Sequence, residues 1–318
     1  YMDRLGLGYP VLSKINPRII MTSITAFGQT GPYAHYKAPD IVGMAMGGMV
    51  YLCGDEDRPP VRISYPQAWN HASLQGCVGT MFAHYYREMT GEGQHVDVSM
   101  QTCVIWTLMN ATVTWDLNRI NIKRGGAIRT REVQRGDKIV PYRQQEILPC
   151  KDGYVYLRVM GGAVGGEQCQ ILVQWMDEEG MASESMKQRD WMALDFFTIT
   201  QEDVDSWEGP IKDFLMTHTR EEIYQEALKR RLSIAPVGTP KMLLEDKQLA
   251  FRNFWVDVEH PELGTAITYP GWPVHQSETP WRLQRRAPLI GEHNDEIYEK
   301  ELGFSKEQLS VLKACGVI

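Results

Sequence analysis

The alternation of strand-like and helix-like runs across the first hundred residues constrains the fold of this chain more than any other feature. "PRIIMTSITAFG" (17–28) is a β-branched run closed by a glycine, the pattern of a buried strand. "DIVGMAMGGMVYLCG" (40–54) places small residues at helical spacing, which suits a helix packed tightly on a sheet. The spacing then predicts a helix over 70–91, "NHASLQGCVGTMFAHYYREMTG". Ala72, Cys77, Val78, Met81, Phe82 and Tyr85 form its one apolar face, and Gly91 stops it. "GQHVDVSM" (93–100) alternates as a strand does, and "QTCVIWTLMNATVTW" returns to helix. Strands and helices in this order predict an α/β layer with a mostly parallel sheet.

Residues 119–146 break the pattern. "RINIKRGGAIRTREVQRGDK" is basic, carries glycines and lacks an apolar period, so it reads as a linker or an extended arm. Beyond it, Asp152-Gly153 in "EILPCKDGYVYLRVMGG" marks a hairpin. Helical runs continue to about 231, and Thr239 and Pro240 read as N-cap and first residue of a short helix. "ELGTAITYPGWPV" reads as strands and turns, and "FSKEQLSVLKACGVI" as an amphipathic helix capped by Ser305. Trp106, Trp115, Trp175 and Trp191 fall in helix-like stretches and are expected in the core.

With 318 residues the chain can hold two domains or one large one. A net charge of −7 argues against a broad nucleic-acid or anionic-membrane surface, while local Arg and Lys can still serve small anions. The six cysteines (Cys53, Cys77, Cys103, Cys150, Cys169, Cys315) show no CxxC pair and no zinc spacing. No metal site is expected, and reduced thiols suit a cytoplasmic protein. The most apolar run, 41–53, is too short and glycine-rich to span a membrane. No signal peptide is visible, so a cytoplasmic location is the default expectation, although the chain begins at Tyr1 rather than Met.

Several phrases, in order from Tyr1 to Ile318, resemble the class III CoA-transferases, the CaiB/BaiF group, which includes formyl-CoA transferase, carnitine CoA-transferase and the α-methylacyl-CoA racemases. They are "YMDRLGLGYPVLSKINPRIIMTSITAFGQTGPY", "REMTGEGQHVDVSM", "CKDGYVYL", "APVGTPKMLLEDKQLAFRNF", "HPELG" and "APLIGEHNDEIYEKELGFSKEQLSVLKACGVI". The resemblance implies an α/β fold: a Rossmann-like large domain built from the N-terminal part and the C-terminal tail, a smaller α+β domain between them, and an interlocked dimer. It places part of the large domain at 1–118, a linker at 119–146, the small domain at 147–265 and the returning tail at 266–318. Family members carry a further βαβ half ahead of "DRLGLGY", so the resemblance also implies that this half is missing here.

The implied reaction moves CoA from an acyl-CoA thioester to a free carboxylic acid. An Asp carboxylate attacks the thioester, giving a mixed anhydride and a CoA thiolate. A carboxylate is needed because its acyl adduct is an anhydride, reactive enough to pass the group on. Counting back without a gap from "REMTGEGQHVDVSM" brings the family Asp to Trp69, whose indole is neither nucleophilic nor ionisable here. The racemase His-Asp pair corresponds to Pro39-Asp40, so the proton-shuttling His is absent as well. No catalytic residue is assigned on this basis. Asp40 and His71 remain candidates, each with a structural alternative: Asp40 as N-cap before "IVGMAMGG", His71 as a cap or packed ring. A third route is a partner chain, since some class III enzymes, benzylsuccinate CoA-transferase among them, are built from unlike subunits of which one can lack the Asp.

By the same resemblance Arg4 meets the nucleotide end of CoA and Lys37 its phosphates, suitable roles for a bidentate guanidinium and a point charge. Gly161, Gly162, Gly165 and Gly166 would form a loop covering the active site, with Glu167 a further carboxylate at its end. CoA enters as a substrate, and the expected partners are an acyl-CoA, a carboxylic acid and either a second copy or a related subunit. The leading function is a CoA-transferase, or a subunit of one acting with an Asp-bearing partner. The alternative is a non-catalytic CoA-binding or dimerisation subunit of the same fold. Tyr33, Tyr36, Tyr65 and Trp69 make an aromatic neighbourhood that suits a bulky acyl group or core packing equally.

Overall fold

The two strand patterns of the first hundred residues pair in parallel: β1 (Met21–Thr25) and β2 (His95–Ser99) align Met21 with His95 and Thr25 with Ser99. This computed structural model describes residues 1–135 and 138–318, with side chains outside 132–139. The chain divides into two compact units, Tyr1–Val237 and Gly238–Ile318. The mixed α/β character holds, but parallel pairing is confined to β1 and β2; the other strand pairs among the described residues are antiparallel.

The first unit opens with α1 (Tyr9–Ile15), whose Tyr9 stacks on His95 with ring centroids 5.4 Å apart. After β1 come α2 (Asp40–Met46), α3 (Met49–Leu52) and the long α4 (Ala68–Thr90), which packs on both parallel strands. α4 meets the strands through small residues. Ala68, Ala72, Gly76 and Ala83 are buried, and a Cβ at Gly76 or Gly79 would come within 2.9 Å of Ile24 or Val96.

The apolar face read from the sequence is therefore the wrong one. Of its members only Ala72 is buried; Cys77, Val78, Met81, Phe82 and Tyr85 are exposed, Phe82 by 71%. Helix and strands approach so closely that bulk is excluded between them, and close packing rather than hydrophobicity selects the inner face. α2 behaves alike: Gly43 and Gly47 lie against Met100 and Val104 of α5 (Met100–Thr107), so the small residues of this stretch admit a neighbouring helix. On α5 and α6 (Met109–Asn118) Trp106 and Trp115 are exposed, contrary to expectation, whereas Trp175 and Trp191 are buried as expected.

Residues 136 and 137, inside the expected linker 119–146, lie outside the described residues. Elsewhere that stretch is structured. Lys123 pairs with Glu56 at 2.6 Å, and Arg124 donates to the carbonyls of Asp55 and Arg58. β3 (Ile128–Arg135) and β4 (Lys138–Gln145) form an antiparallel ribbon. The ribbon is anchored by buried Tyr142 and Gln144, the latter donating to the Val159 carbonyl at 3.1 Å. Few apolar residues are needed for such a ribbon, which is why no period was visible.

β5 (Ile147–Cys150) and β6 (Gly153–Tyr156) form the hairpin expected at Asp152-Gly153, and β7 (Ala235–Pro236) pairs with β6. α7 (Gly162–Glu178), α8 (Glu184–Gln188), α9 (Gln201–Met216) and α10 (Arg220–Arg230) complete this part. Leu148, Val155, Trp175, Trp191, Trp207 and Phe214 share its core. α9 and α10 each start with a full capping box, Thr200 with Asp203 and Thr219 with Glu222. The backbone N–H that each acid accepts holds its carboxyl below the usual range. A smaller, separate core gathers Ala26, Met44, Ala72, Val98, Met100 and Val104 around α2, α4 and α5.

In the second unit, α11 (Pro240–Leu244) starts at Thr239 as expected and α12 (Lys247–Phe251) follows. β8 (Trp255–His260) and β9 (Thr265–Pro270) form a hairpin. Ser305 and Gln308 box the start of α13 (Lys306–Ala314). Arg286 ties the "HPELG" and "APLIGEHNDE" phrases together, pairing with Glu262 and Glu292 at 2.9 Å each. All six cysteines are free, and burial pushes the Cys169 thiol up to about 11. No helix among the described residues is long and apolar enough to cross a membrane.

Gly166 tests the packing of α7. A methyl group there would run into the Trp191 carbonyl and sit 2.8 Å from the Met192 Cα, both rigid backbone. Alanine is intrinsically about 1 kcal/mol better than glycine in a helix. Gly166→Ala is nevertheless expected to lower the unfolding free energy in urea by about 1–3 kcal/mol. A neutral or stabilised variant would contradict the packing described.

Candidate active site

The first backbone N–H groups of α4 have no acceptor within the helix. Gln67, the N-cap, makes no side-chain capping bond. Asp40 takes over from a distance: its Oδ2 accepts from the Gln67 N–H at 3.0 Å and its Oδ1 from the Trp69 N–H at 2.9 Å. A negative charge at a helix N-terminus also complements the helix dipole. Asp40 is therefore not the N-cap of α2, a position held by Pro39; it is the first residue of α2 and caps α4. A second bond, from the Asn70 amide to the Pro66 carbonyl at 3.0 Å, steadies the approach to the helix.

Trp69 is half-buried and packs against the smaller core that contains Ala68 and Ala72. The position reached by counting back from "REMTGEGQHVDVSM" thus holds an apolar ring turned to the interior. His71 is half-buried two residues further along the helix, its N–H bonded to the Gln67 carbonyl at 3.0 Å. Its ring makes no hydrogen bond among the described residues, so it is not a side-chain cap.

Arg4 lies in a short 3-10 turn, Asp3–Leu5, and Lys37 in the loop before α2. Both are exposed, and neither forms an ion pair or hydrogen bond among the described residues. Lys37 follows Tyr33 and Tyr36, whose rings stack at 5.1 Å. The glycine stretch is only partly a turn. Gly161 is the N-cap of α7 and Gly162 has φ +77°, a value that favours glycine, whereas Gly165 and Gly166 are buried within the helix. Gly161 and Gly162 line a cavity of about 480 Å³ with Arg131, Asp195, Phe196 and Phe197. Glu167 is exposed on α7.

A feature that the sequence did not signal adjoins the α4 N-terminus. Asp40, Ile41, Met44, Arg62, Ile63 and Tyr65 line a cavity of about 190 Å³ there. Arg62 belongs to no motif, and the cavity exists only because the loop before α4 folds back over α2. No group of three or more His, Cys, Asp or Glu fit to hold a metal is found among the described residues.

The sequence profile of CoA-transferase family III matches residues 1–294. The chain belongs to this family. Among its relatives, succinyl-CoA:(R)-benzylsuccinate CoA-transferase subunit BbsE of Thauera aromatica is 33% identical over all of this chain and 74% of that protein. Formyl-CoA:oxalate CoA-transferase of Streptomyces coelicolor is 28% identical over all of this chain and 75% of that one. A CaiB/BaiF family protein from Brucella suis has the same fold, with a TM-score of 0.74 at 24% identity, covering 94% of this chain and 72% of that one. The chain is a family III CoA-transferase, an enzyme type that uses a CoA thioester as substrate.

The capping role of Asp40 has a measurable consequence. Asp40→Ala removes both acceptors and is expected to cost about 0.5–2 kcal/mol of stability, with Asp40→Asn recovering part of it. Thermal unfolding checks this, and an Asp40→Ala variant as stable as the wild type would contradict the bonds described.

Proposed function

We propose that this chain is a subunit of a class III CoA-transferase that binds the acyl-CoA and depends on an Asp-bearing partner chain for the covalent step. One observation carries this reading. At the α4 N-terminus the chain presents an indole, and the carboxylate beside it, Asp40, accepts from α4 amides through both of its oxygens.

In this reading the partner's carboxylate oxygen attacks the thioester carbonyl, the C–S bond breaks, and CoA leaves as a thiolate from a mixed anhydride. The thiolate then attacks the enzyme carbonyl of that anhydride, which releases the donor acid and leaves CoA on the enzyme. The acceptor carboxylate reverses these two steps and departs as the new thioester. Arg4 and Lys37 take the nucleotide and phosphate ends of CoA, a role supported by their exposure and lack of internal partners.

The assembly reading draws support from the outer side of α4. Leu74, Met81, Phe82, Tyr85 and Met89 are exposed along it, and a contiguous apolar face of this kind marks a surface that another chain covers. An interlocked dimer or a heteromer would do so. The relatives named as subunits, BbsE and the succinyl-CoA–L-malate CoA-transferase beta subunit of Chloroflexus aurantiacus, favour the heteromer. We retain the division into a large-domain part (1–118), linker (119–146), small domain (147–265) and returning tail (266–318). The separate cores around α2, α4 and α5 and around α7, α9 and β5 support it. Trp69 also favours a second reading, a CoA-binding scaffold without turnover.

The two readings separate in a reconstitution assay. The chain alone is expected to transfer no CoA from an acyl-CoA to a carboxylic acid, and mixing it with a family member that has Asp at the Trp69 position is expected to start transfer. In the active mixture Lys37→Glu should raise KM for the thioester on the order of tenfold. Transfer by the chain alone would refute the dependence on a partner, and CoA binding without turnover in every pairing would establish the scaffold.

A further inference from the structure

We propose that Arg131, Tyr142 and the N-terminus of α7 form a binding site for a phosphate monoester. The site is the cavity of about 480 Å³ lined by Arg131, Gly161, Gly162, Asp195, Phe196 and Phe197. Its size is that of a small-molecule pocket, and none of Arg4, Lys37 and Trp69 lines it. Arg131 is the first sign of an anionic ligand. Its Nε is shut off from solvent without a hydrogen-bond partner, and the side chain makes no ion pair among the described residues. A shielded cation without a counter-charge is costly, and burial pulls its pKa below the usual arginine range. Its neighbours do not neutralise it, because Arg129 and Arg158 both turn to the one carboxylate of Glu146, at 2.6 and 3.3 Å. Three guanidiniums that share one acid suit a doubly charged phosphate better than a single carboxylate.

Tyr142 is the second sign. It is 2% exposed, and its hydroxyl has no hydrogen-bond partner. It stands opposite Arg131 in the β3–β4 ladder, and its ring stacks on Phe196. Its hydroxyl feels the charges of Arg131 and Asp195, which both line the cavity, so the unpaired donor belongs to the same wall. Burial pushes the phenol up, which keeps it a donor. Asp195 is engaged locally, its Oδ1 accepting from the Phe197 N–H at 2.9 Å. The start of α7 is the third sign. No side chain caps this 17-residue helix, so its first N–H groups and its dipole are left for an anion. Gly162 has φ +77°, and a Cβ there would meet nothing within 4 Å, so the backbone is open to a ligand. The Arg131 guanidinium lies over Phe196 at 4.8 Å, which leaves its N–H edge for phosphate oxygens. The exposed Phe197 ring offers a face to the organic part of the ester.

Phenyl phosphate and benzoate share a ring and differ in the charge of the anion. Calorimetric titration of the full-length protein in its native assembly is expected to show phenyl phosphate binding on the order of tenfold more tightly. Arg131→Met is expected to abolish that preference, and Tyr142→Phe to weaken phenyl phosphate about three- to tenfold. Without ligand, Tyr142→Phe is expected to melt no lower than the wild type, since it deletes only an unpaired buried hydroxyl. A merely structural role for Tyr142 would give the opposite pattern. Competition identifies the source of the phosphate. Displacement by CoA and not by dephospho-CoA assigns the site to the ribose phosphate of CoA, and displacement by neither assigns it to a separate ester. Absence of phenyl phosphate binding, benzoate binding as tight, or unchanged affinity in both variants would overturn the proposal.

Discussion

The contact on which the site depends is the pair of hydrogen bonds from the α4 N-terminus to the Asp40 carboxylate. It joins the start of α2 to the start of α4 and supplies the acceptors that the first turn of a long helix lacks. It also sets the position of Trp69 on the small core and folds residues 62–66 into the wall of a cavity. The same carboxylate that organises this corner is held against two amides. A helix N-terminus that could stabilise a developing oxyanion already faces an anion belonging to the chain itself.

Around that corner the packing is set by size. α4 lies on β1 and β2 through alanine and glycine, and α2 lies on α5 through Gly43 and Gly47. Close approach of these elements leaves the large apolar side chains of α4 on the outside, Phe82, Tyr85 and Met89 among them. One helix thus has two unlike surfaces: an inner one of small residues that closes the chain's own core and an outer one of large, exposed apolar side chains. The exposed apolar face of α4 and the half-buried indole at its start are the two features on which the proposed dependence on a partner rests.

Much of this was legible in the sequence because the physics involved is local or strongly periodic. The strand pair, the α4 span, the hairpin at Asp152-Gly153 and the caps at Thr239 and Ser305 all follow from short-range signals, and the family phrases extend across the whole chain. What was not legible depends on contacts between distant residues. Which face of α4 turns inward is decided by how near the strands come, and the apolar residues pointed to the wrong side. Asp40 and Trp69 meet across 29 positions, whereas local sequence links Asp40 only to the start of α2. Gly165 and Gly166 suggested a mobile loop, but the space they leave is filled by the Met160 and Trp191 backbone inside a helical packing. Arg62 gave no signal, since an isolated arginine acquires meaning only from the walls that fold around it.

The central claim is that this chain has no carboxylate of its own able to open a thioester. Intact-mass and peptide analysis of the isolated chain after incubation with an acyl-CoA, followed by hydroxylamine or borohydride, tests it directly. The account predicts an unmodified chain. A hydroxamate or reduced side chain at Asp40, or at any other carboxylate of this chain, would contradict it.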